Sequence, residues 1–466
     1  MTDTRPSRLP ATLAAGSMGV YLLIAAGATT AVTEAGRACQ GFPLCGDGFA
    51  LPSTALAWLA VGHRLVAVVV GVVLVAAGVV AYRATVRRRV AVALAVALAL
   101  YPAQAALGAA VAVDPRSSPL SGVHLGVGLA IFAGLVAALG WRLEAETGDP
   151  TDEPTGPPTR DLPPAPDDPA PELPSGTLDR ALLTARAYVR LTKPRLMWLL
   201  CLVASAAMAL AGGAGLTSSV VARTLVGGSL AIGASGTFNH VLERDVDRRM
   251  SRTSDRPLAT NVVPPRNAVA FGVTLAAVSV GLFASVNLLA AVLGLAAILF
   301  YSVVYTLVLK PNTVQNTVLG GAAGALPALI GWAAVTGDVG LGGLALAALV
   351  FLWTPAHFYN LALAYKEDYE RGGFPMMPVV RGETATRRHI LWYFAATLGA
   401  AVVLTTLPGL DLLFAASGVA VGAVFLWSVV RLHYERDESA AFRSFHASNA
   451  YLGVVLLTIV VDTLAL

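Results

Sequence analysis

The sequence predicts an all-α polytopic membrane protein, with a four-helix N-terminal bundle followed by a nine-helix bundle. Of its 466 residues, 56% are hydrophobic and only 13% are charged, which is far from the composition of soluble domains. Thirteen apolar stretches are each long enough to cross a hydrocarbon core as a helix, which needs about 20 residues. One proline-rich segment interrupts this pattern. The sequence has no basic face with interleaved aromatic residues, so nucleic acid is not an expected partner.

Each apolar stretch is expected to be helical, because a span in lipid has to satisfy its own backbone hydrogen bonds. The first follows a short basic tail without an evident small-residue cleavage site, so we interpret it as a retained span rather than a signal peptide. The thirteen predicted spans begin near Thr12, Thr54, Val90, Ser121, Leu196, Val220, Ala268, Leu288, Asn316, Val339, Ile390, Leu410 and Ser448.

The positions of lysine and arginine predict the orientation of these spans in the cell membrane. Basic residues in short loops favour the cytoplasmic side. If the N-terminus is cytoplasmic, thirteen alternating spans place the C-terminus outside and collect most basic residues in the inner loops. Only Arg37, Arg116 and Arg223 then remain in outer loops, and Arg64 lies within the second span.

The segment between the fourth and fifth spans has a composition unlike the rest of the chain. Residues 143–177 contain ten prolines and nine acidic residues, with Arg160 as the one base. Such a segment cannot bury enough apolar surface to fold by itself, so we predict a disordered cytoplasmic linker. The predicted domains are therefore a four-span module at residues 1–142, the linker at 143–177 and a nine-span domain at 178–466.

A charged segment follows the sixth predicted span. Asn239, Glu243 and Asp247 are spaced i, i+4 and i+8, so on a helix they share one face over about 12 Å. Oxygen ligands of this kind suit Mg²⁺, which is often held by one or two carboxylates and completes its shell with water and substrate phosphate.

Three arginines continue the same spacing beyond the acidic residues. Arg248, Arg252 and Arg256 would supply paired donors for phosphate oxygens, so the segment predicts a diphosphate site that includes a metal ion. A cytoplasmic loop whose acids and bases merely pair with each other would also account for the arginines. It would not account for Asn239 and Glu243 at the end of an apolar span, where polar groups are costly and usually functional.

The run from Asn239 to Pro257 resembles the first polar motif of the intramembrane aromatic prenyltransferases, in the form found in haem O synthases, the protohaem IX farnesyltransferases. Glu243 stands where other members usually carry aspartate, which favours the haem branch. The resemblance extends from about Tyr188 to the C-terminus. It includes Leu191–Arg195, Tyr305 with Lys310, residues 316–337, Tyr365–Tyr369 and residues 373–380.

This resemblance implies transfer of a farnesyl group from farnesyl diphosphate to a vinyl group of haem B, giving haem O and diphosphate with Mg²⁺ as cofactor. Lys366 departs from the doubly acidic second motif of quinone-directed relatives, and its charge would partly replace a metal ion. The implied metal ligands are Asn239, Glu243, Asp247 and Asp368, and these with Lys366 form the predicted catalytic set. The predicted substrate-binding residues are Lys193, Arg195, Arg248, Arg252, Arg256, Tyr305, Lys310, His357, Asn360 and Tyr365.

The four-span module carries two intramembrane histidines, His63 and His124. Two histidines at comparable depth would suit the axial positions of a haem iron. Together with Cys39 and Cys45 they resemble motifs of haem A synthase, over about the first 142 residues and half of that enzyme's usual length. Ala60 replaces a glutamate typical of that family. We therefore interpret the module as one that holds or delivers haem, with oxidation of haem O to haem A as the alternative.

Two other functions remain open at this point. Another membrane prenyltransferase, acting on a quinone or lipid acceptor, would use the same scaffold. A non-catalytic haem-binding membrane protein would bind haem without consuming farnesyl diphosphate. A haem A synthase or a terminal oxidase is a further possible partner.

Overall fold

The computed structural model describes residues 7–39, 42, 44, 45, 51–113, 118–149, 152, 156, 175–407 and 409–465. The regular elements in these ranges are helices. They are α1 (Arg8–Val32), α2 (Ala35–Ala38), α3 (Ala55–Arg83), α4 (Arg88–Val113), α5 (Ser118–Thr147), α6 (Thr177–Leu191), α7 (Pro194–Ala211), α8 (Ser218–Leu242), α9 (Arg244–Asp247), α10 (Pro265–Ala284), α11 (Leu288–Leu299), a π-helical segment (Phe300–Leu309), α12 (Lys310–Asn312), α13 (Asn316–Thr336), α14 (Leu341–Ala364), α15 (Lys366–Arg371), α16 (Met377–Val380), α17 (Glu383–Thr405), α18 (Leu412–Glu435) and α19 (Glu438–Ala465).

Every predicted span corresponds to a long helix. Among the described residues, twelve helical stretches are long and apolar enough to cross a membrane, so the all-α membrane fold is confirmed. Helix α8 is not among the twelve, and its sequence is rich in glycine, serine and threonine, with Arg223, Asn239 and His240 in addition. The division into four plus nine spans therefore stays a prediction.

The predicted linker begins later than its composition suggested. Helix α5 continues to Thr147, so residues 143–147, which we assigned to the linker, are helical. Glu144 and Glu146 are held there by ion pairs with Arg89 and Arg142, at 2.9 and 2.6 Å. Most of the remaining linker, residues 150–151, 153–155 and 157–174, lies outside the described residues, and its predicted disorder is untested.

The helices form two compact units. One contains α1 to α5 together with most of α17, α18 and most of α19, and the other contains α6 to α16. In the first unit α1 packs against α3, α5 and α18; in the second α8 packs against α10, and α13 packs against α7 and α14. The last three helices thus share a unit with the four-span module, and the chain-order domains proposed from composition stay a prediction.

Polar contacts in the first unit join α5 to the last helices. Glu144 accepts a hydrogen bond from Arg89 and pairs with Arg388 at 2.8 Å. Tyr434 donates a hydrogen bond of 2.6 Å to Glu146. The Glu144 carboxylate on α5, held by donors from α4 and α17, fixes the relative rotation of these three helices as well as their spacing.

A close approach of α8 to the α6–α7 connection positions the polar residues of the second unit. A Cβ atom on Gly236 would lie 2.9 Å from the Leu191 carbonyl oxygen, so a larger residue could not maintain this contact. Lys193 occupies the connection with a φ of 53°, a left-handed conformation that residues other than glycine rarely adopt. The Lys193 side chain is thereby brought beside the end of α8.

The chain between α11 and α12 winds as a π-helix. The backbone N–H of Lys310 donates to the Tyr305 carbonyl, five residues earlier. π-Helical winding is rare and frequently occurs at functional sites. A Cβ atom on Gly320 of α13 would lie 2.6 Å from the Tyr305 ring. Glycine at this position therefore lets the ring approach the α13 backbone closely.

Candidate active site

Three polar residues at the end of α8 lie on one buried stripe. Asn239 lies in the last turn, Glu243 is the C-terminal cap and Asp247 ends α9. Backbone hydrogen bonds of the helical type continue through all three residues. Glu243 N–H donates to the Asn239 carbonyl at 2.9 Å, and Asp247 N–H donates to the Glu243 carbonyl at 2.8 Å. Their exposed fractions are 2%, 6% and 2%. Asp245, off this stripe, has a side chain 76% exposed.

Each member of the stripe faces a cation from another part of the second unit. Lys310 Nζ lies 2.6 Å from Glu243 Oε1. One nitrogen of Arg256 lies 2.8 Å from both oxygens of Asp247. Lys193 Nζ donates to Asn239 Oδ1. The cluster therefore contains two buried acidic residues and three cations, with its donors and acceptors already mutually oriented.

Burial and neighbouring charge act in opposite directions on the pKa values of these groups. Burial alone would raise the pKa of Glu243, but the positive charges of Lys310, Lys193 and Arg256 outweigh it and the pKa is lowered. For Asp247 burial prevails over Arg256, and the pKa is raised. Burial, with the charge of Arg256, lowers the pKa of Lys193 to about 7. An arriving anion would favour the charged form of this lysine.

Asp368 joins the second polar segment to the first. Its oxygens accept hydrogen bonds from Ser251 N–H at 3.1 Å, Ser251 Oγ at 2.7 Å and Arg252 N–H at 3.0 Å, and Arg371 pairs with it. Burial opposes ionisation, but these hydrogen bonds lower its pKa. Asp368 thus holds the loop after α9 against α15. Its predicted role as a metal ligand stays a prediction.

The three arginines predicted to extend the stripe diverge, because the chain turns after Asp247 instead of continuing as a helix. Arg256 returns to Asp247. Arg248 donates to the Ala259 carbonyl and to Asn261, both at 2.9 Å. Arg252 lies over the rings of Tyr365 and Tyr369, 5.0 and 5.5 Å from their centroids.

Two predicted cations lie apart from the stripe. Arg195 is exposed in the first turn of α7. Lys366 is 3.1 Å from Glu383, and both side chains are about one-third exposed. The structure as described does not bring either one to Asn239, Glu243 or Asp247.

Aromatic and amide residues predicted to bind substrate lie on two helical segments. Tyr305 stacks on Tyr301 with ring centroids 5.5 Å apart. His357 stacks on Trp353, one turn earlier in α14, at 4.2 Å. Asn360 is fully buried, and its Nδ2 donates to the Ala356 carbonyl at 2.7 Å.

Several residues of the cluster were not identified from the sequence. Tyr301 receives a hydrogen bond of 3.3 Å from Lys193, and Thr306 receives one of 3.3 Å from Asn239. The i, i+4 spacing of Tyr301 from Tyr305 was an available signal. Thr306 offered none, because five-residue spacing is meaningful only once the π winding is known.

The oxygen donors of the stripe meet part of the coordination requirement of Mg²⁺. Within the described ranges, no three His, Cys, Asp or Glu residues are grouped closely enough to hold a metal ion by themselves. Two carboxylates and an amide oxygen on adjacent turns nevertheless suit Mg²⁺, which takes much of its shell from water and substrate phosphates. These residues fit an ion that binds together with a diphosphate.

A separate cavity lies in the first unit among α1, α3, α4 and α5. Its volume is about 780 Å³, and His63 and His124 are both on its wall. Each ring packs on a glycine: a Cβ atom on Gly27 would lie 3.3 Å from His63, and one on Gly108 would lie 3.0 Å from His124. The Nδ1 atoms of both rings are buried and have no hydrogen-bond partner among the described residues.

The loop near this cavity is held in two ways. Cys39 and Cys45 form a disulfide. Arg64, next to His63, donates hydrogen bonds of 3.1 Å to the carbonyls of Cys39 and Leu44. The arginine within the second predicted span thus fixes the loop to α3, more than two turns inside the helix.

Known protein families match both parts of the chain. The sequence signature of the UbiA prenyltransferase family matches residues 198–453, more than half of the chain and the part that contains the stripe. The chain belongs to the UbiA prenyltransferase family. The signature of a second family, described as cytochrome oxidase assembly protein, matches residues 1–133, which contain the histidine cavity.

Individual relatives of this UbiA-family chain extend the match. A protein of Haloquadratum walsbyi named protoheme IX farnesyltransferase is 62% identical over 97% of this chain and 96% of its own length. Protoheme IX farnesyltransferase 1 of Saccharopolyspora erythraea is 44% identical over 63% of this chain and 93% of its own length. That relative is too short to contain a counterpart of the remaining third of this chain. A solved digeranylgeranylglyceryl phosphate synthase aligns with 61% of this chain and all of that chain, at 14% identity and a TM-score of 0.49.

Proposed function

We propose that this chain transfers the farnesyl group of farnesyl diphosphate to a vinyl group of haem B, giving haem O and diphosphate. The relatives named protoheme IX farnesyltransferase support the substrate pair. The observation that carries the proposal is the junction of the two polar segments. Asp368 accepts hydrogen bonds from Ser251 and Arg252, so the second polar segment is joined to the loop that follows the stripe, which supports a site shared by the two segments.

The cations of the site would stabilise the leaving diphosphate. Lys193, Lys310 and Arg256 already surround the stripe, and the negative charge that develops as the allylic C–O bond breaks would be drawn to them. Preorganised charges in a water-poor site are a large source of catalysis, since they need no rearrangement during the reaction. Lys310 and Arg256 would exchange part of their pairing with Glu243 and Asp247 for phosphate oxygens.

Mg²⁺ would be held by Glu243 and Asp247, with Asn239 Oδ1 as a third oxygen donor. When bound, the ion supplies charge neutralisation to the diphosphate. The protein's own part is to keep these oxygens on one stripe. The depth of the stripe, with all three residues at most 6% exposed, would also keep bulk water from the allylic cation until the acceptor attacks.

A second proposal concerns the N-terminal module, where we infer a haem-holding site between His63 and His124. The cavity of about 780 Å³ is within the usual range for cofactor sites. Neutral imidazoles in an apolar wall are suitable axial ligands for a haem iron. Ala60 lines the same cavity in place of the expected glutamate, so holding or delivering haem remains the preferred role over oxidation of haem O.

The site's location relative to the membrane completes the proposal. With the N-terminus cytoplasmic, the stripe at the end of α8 opens on the cytoplasmic side of the cell membrane, the C-terminus lies outside and the Cys39–Cys45 loop lies outside as well. A disulfide is chemically permitted there. A terminal oxidase or a haem A synthase would be the recipient of the product.

The decisive experiment is expression of the chain in a host that lacks its own haem O synthase, followed by mass spectrometry of the extracted haem. Haem O is the expected product, and Glu243→Gln is the inactive control. Purified protein given farnesyl diphosphate with either haem B or a hydroxybenzoate would separate this function from that of a quinone-directed enzyme. Assembled protein that leaves haem B unchanged would overturn the proposal.

A further inference from the structure

The π-helical segment Phe300–Leu309 and the residue that follows it make three polar contacts with the active-site cluster. Tyr301 contacts Lys193 at 3.3 Å, Thr306 contacts Asn239 at 3.3 Å and Lys310 contacts Glu243 at 2.6 Å. All three contacts lie on one side of the segment. Such a pattern needs an explanation, because positions 301, 306 and 310 do not follow the spacing of an α-helix face.

The winding of the segment explains the pattern. An α-helix turns by about 100° per residue, so Tyr301 would lie about 140° from Thr306 and about 180° from Lys310. A π-helix has about 4.4 residues per turn, which places all three within about 50° of one another. The π winding is thus what presents Tyr301, Thr306 and Lys310 together to the cluster.

The hydrogen bonds of Thr306 determine which way the Asn239 amide points. The Thr306 hydroxyl has one proton, which it donates to the Tyr301 carbonyl at 2.9 Å. Its oxygen is therefore free only to accept, and it accepts from Asn239 Nδ2. The opposite end of the amide, Oδ1, must then face Lys193 and the stripe. Both residues are buried, at 4% and 2% exposure, so water does not compete for these groups.

We infer that Thr306 is a positioning residue that fixes the Asn239 amide with its oxygen toward the metal–diphosphate site. The inference rests on the proposed function and adds to it a residue that touches neither metal ion nor substrate. Without the Thr306 hydroxyl, the Asn239 amide can rotate and present Nδ2, rather than Oδ1, to the metal ion. Removing a group that orients a metal ligand without itself binding the metal typically lowers metal affinity by about 10–100-fold.

The test measures binding without turnover. Purified full-length protein is heated with inorganic diphosphate and increasing Mg²⁺, and the Mg²⁺ concentration that gives half of the thermal stabilisation is determined. Thr306→Val removes the hydroxyl at similar volume and is expected to raise this concentration about tenfold. Thr306→Ser restores the hydroxyl and is expected to recover most of the response.

Ser302→Ala is the matched control, because Ser302 is a buried hydroxyl of the same π-helical segment whose Oγ has no hydrogen-bond partner among the described residues. It is expected to keep the wild-type Mg²⁺ response. A wild-type response in Thr306→Val would overturn the inference while leaving the proposed function in place. A wild-type protein that Mg²⁺ and diphosphate do not stabilise would instead overturn the proposed function.

A second measurement covers the case in which Thr306→Val fails to assemble. In an Asn239→Asp background both carboxylate oxygens can face the metal ion, so Thr306→Ala should raise the Mg²⁺ requirement less there than in the wild-type background. An equal rise in both backgrounds would overturn the inference. The Asn239→Asp protein is the reference for the double variant, and the wild-type protein is the reference for Thr306→Ala alone.

Discussion

The cluster at the end of α8 and the cavity of the N-terminal module differ in whether their buried polar groups have partners. In the cluster, Glu243 and Asp247 each have a cation within 2.8 Å. In the cavity, the Nδ1 atoms of His63 and His124 have no partner among the described residues. A buried carboxylate without a cation is very costly, whereas a neutral imidazole is much less so. The cluster therefore suits an anion with its metal ion, whereas the cavity would suit the haem that we propose for it.

The largest expected effect tests the acidic half of this comparison. Glu243→Gln or Asp247→Asn should reduce haem O formation by at least about a hundredfold, because each removes a charge that would hold the metal ion. Haem O per assembled protein is the measurement. Asp245→Asn is the matched control, since this exposed carboxylate lies off the stripe. Full activity in both stripe variants would contradict the metal assignment.

The second prediction concerns the histidine cavity. His63→Ala or His124→Ala should abolish the absorbance of haem bound to the purified protein's N-terminal module, because each removes one of two proposed axial ligands. His446→Ala, which changes an exposed histidine of α19, should retain the spectrum. An unchanged haem spectrum in both cavity variants would show that the haem is bound elsewhere in the protein.

The third prediction concerns the contribution of the Lys310–Glu243 ion pair to thermal stability. Lys310→Met leaves Glu243 buried without its cation, and breaking such a pair typically costs about 3–5 kcal/mol. The thermal midpoint should fall markedly. Adding Glu243→Gln removes the uncompensated charge and should recover part of the loss. If the double variant were no more stable than Lys310→Met, the pair would not be the source of the instability.

The smallest expected effect is that of removing the N-terminal module. A chain beginning near Ser175 should still make haem O, and the shorter Saccharopolyspora erythraea relative named protoheme IX farnesyltransferase 1 supports this expectation. Its thermal midpoint should be lower, because Arg388 and Tyr434 lose their partners Glu144 and Glu146. Complete inactivity of assembled truncated protein would show that the module is essential for transfer.

Much of the fold followed from the sequence because most of the predicted spans, with α8 as the exception, are long apolar segments with turn or charged residues at their ends. The stripe of Asn239, Glu243 and Asp247 could also be predicted from the sequence, because i, i+4 spacing places residues on the same face of a helix. The positions of Arg248 and Arg252 were not, because the chain leaves the helix after Asp247 and the loop's own hydrogen bonds then determine the direction of each side chain.

Two features had no sequence signal of the usual kind. Residues 143–147 look like linker by composition, yet ion pairs with Arg89 and Arg142 keep their glutamates in a helix. The π winding of Phe300–Leu309 is equally hidden, because the few hydroxyl groups of this mostly apolar segment do not define a periodicity that distinguishes 3.6 from 4.4 residues per turn. The role that we infer for Thr306 rests on contacts that only the structure shows.

The wide turns between Phe300 and Leu309 also affect how related proteins and hybrids should be compared. A relative that winds this stretch as an α-helix would reach the same orientation of its side chains with fewer residues. Matching two such chains position by position would then equate groups that point in different directions. Chimaeras joined within this stretch should preserve its residue count, because a one-residue deletion would rotate everything before it relative to Lys310.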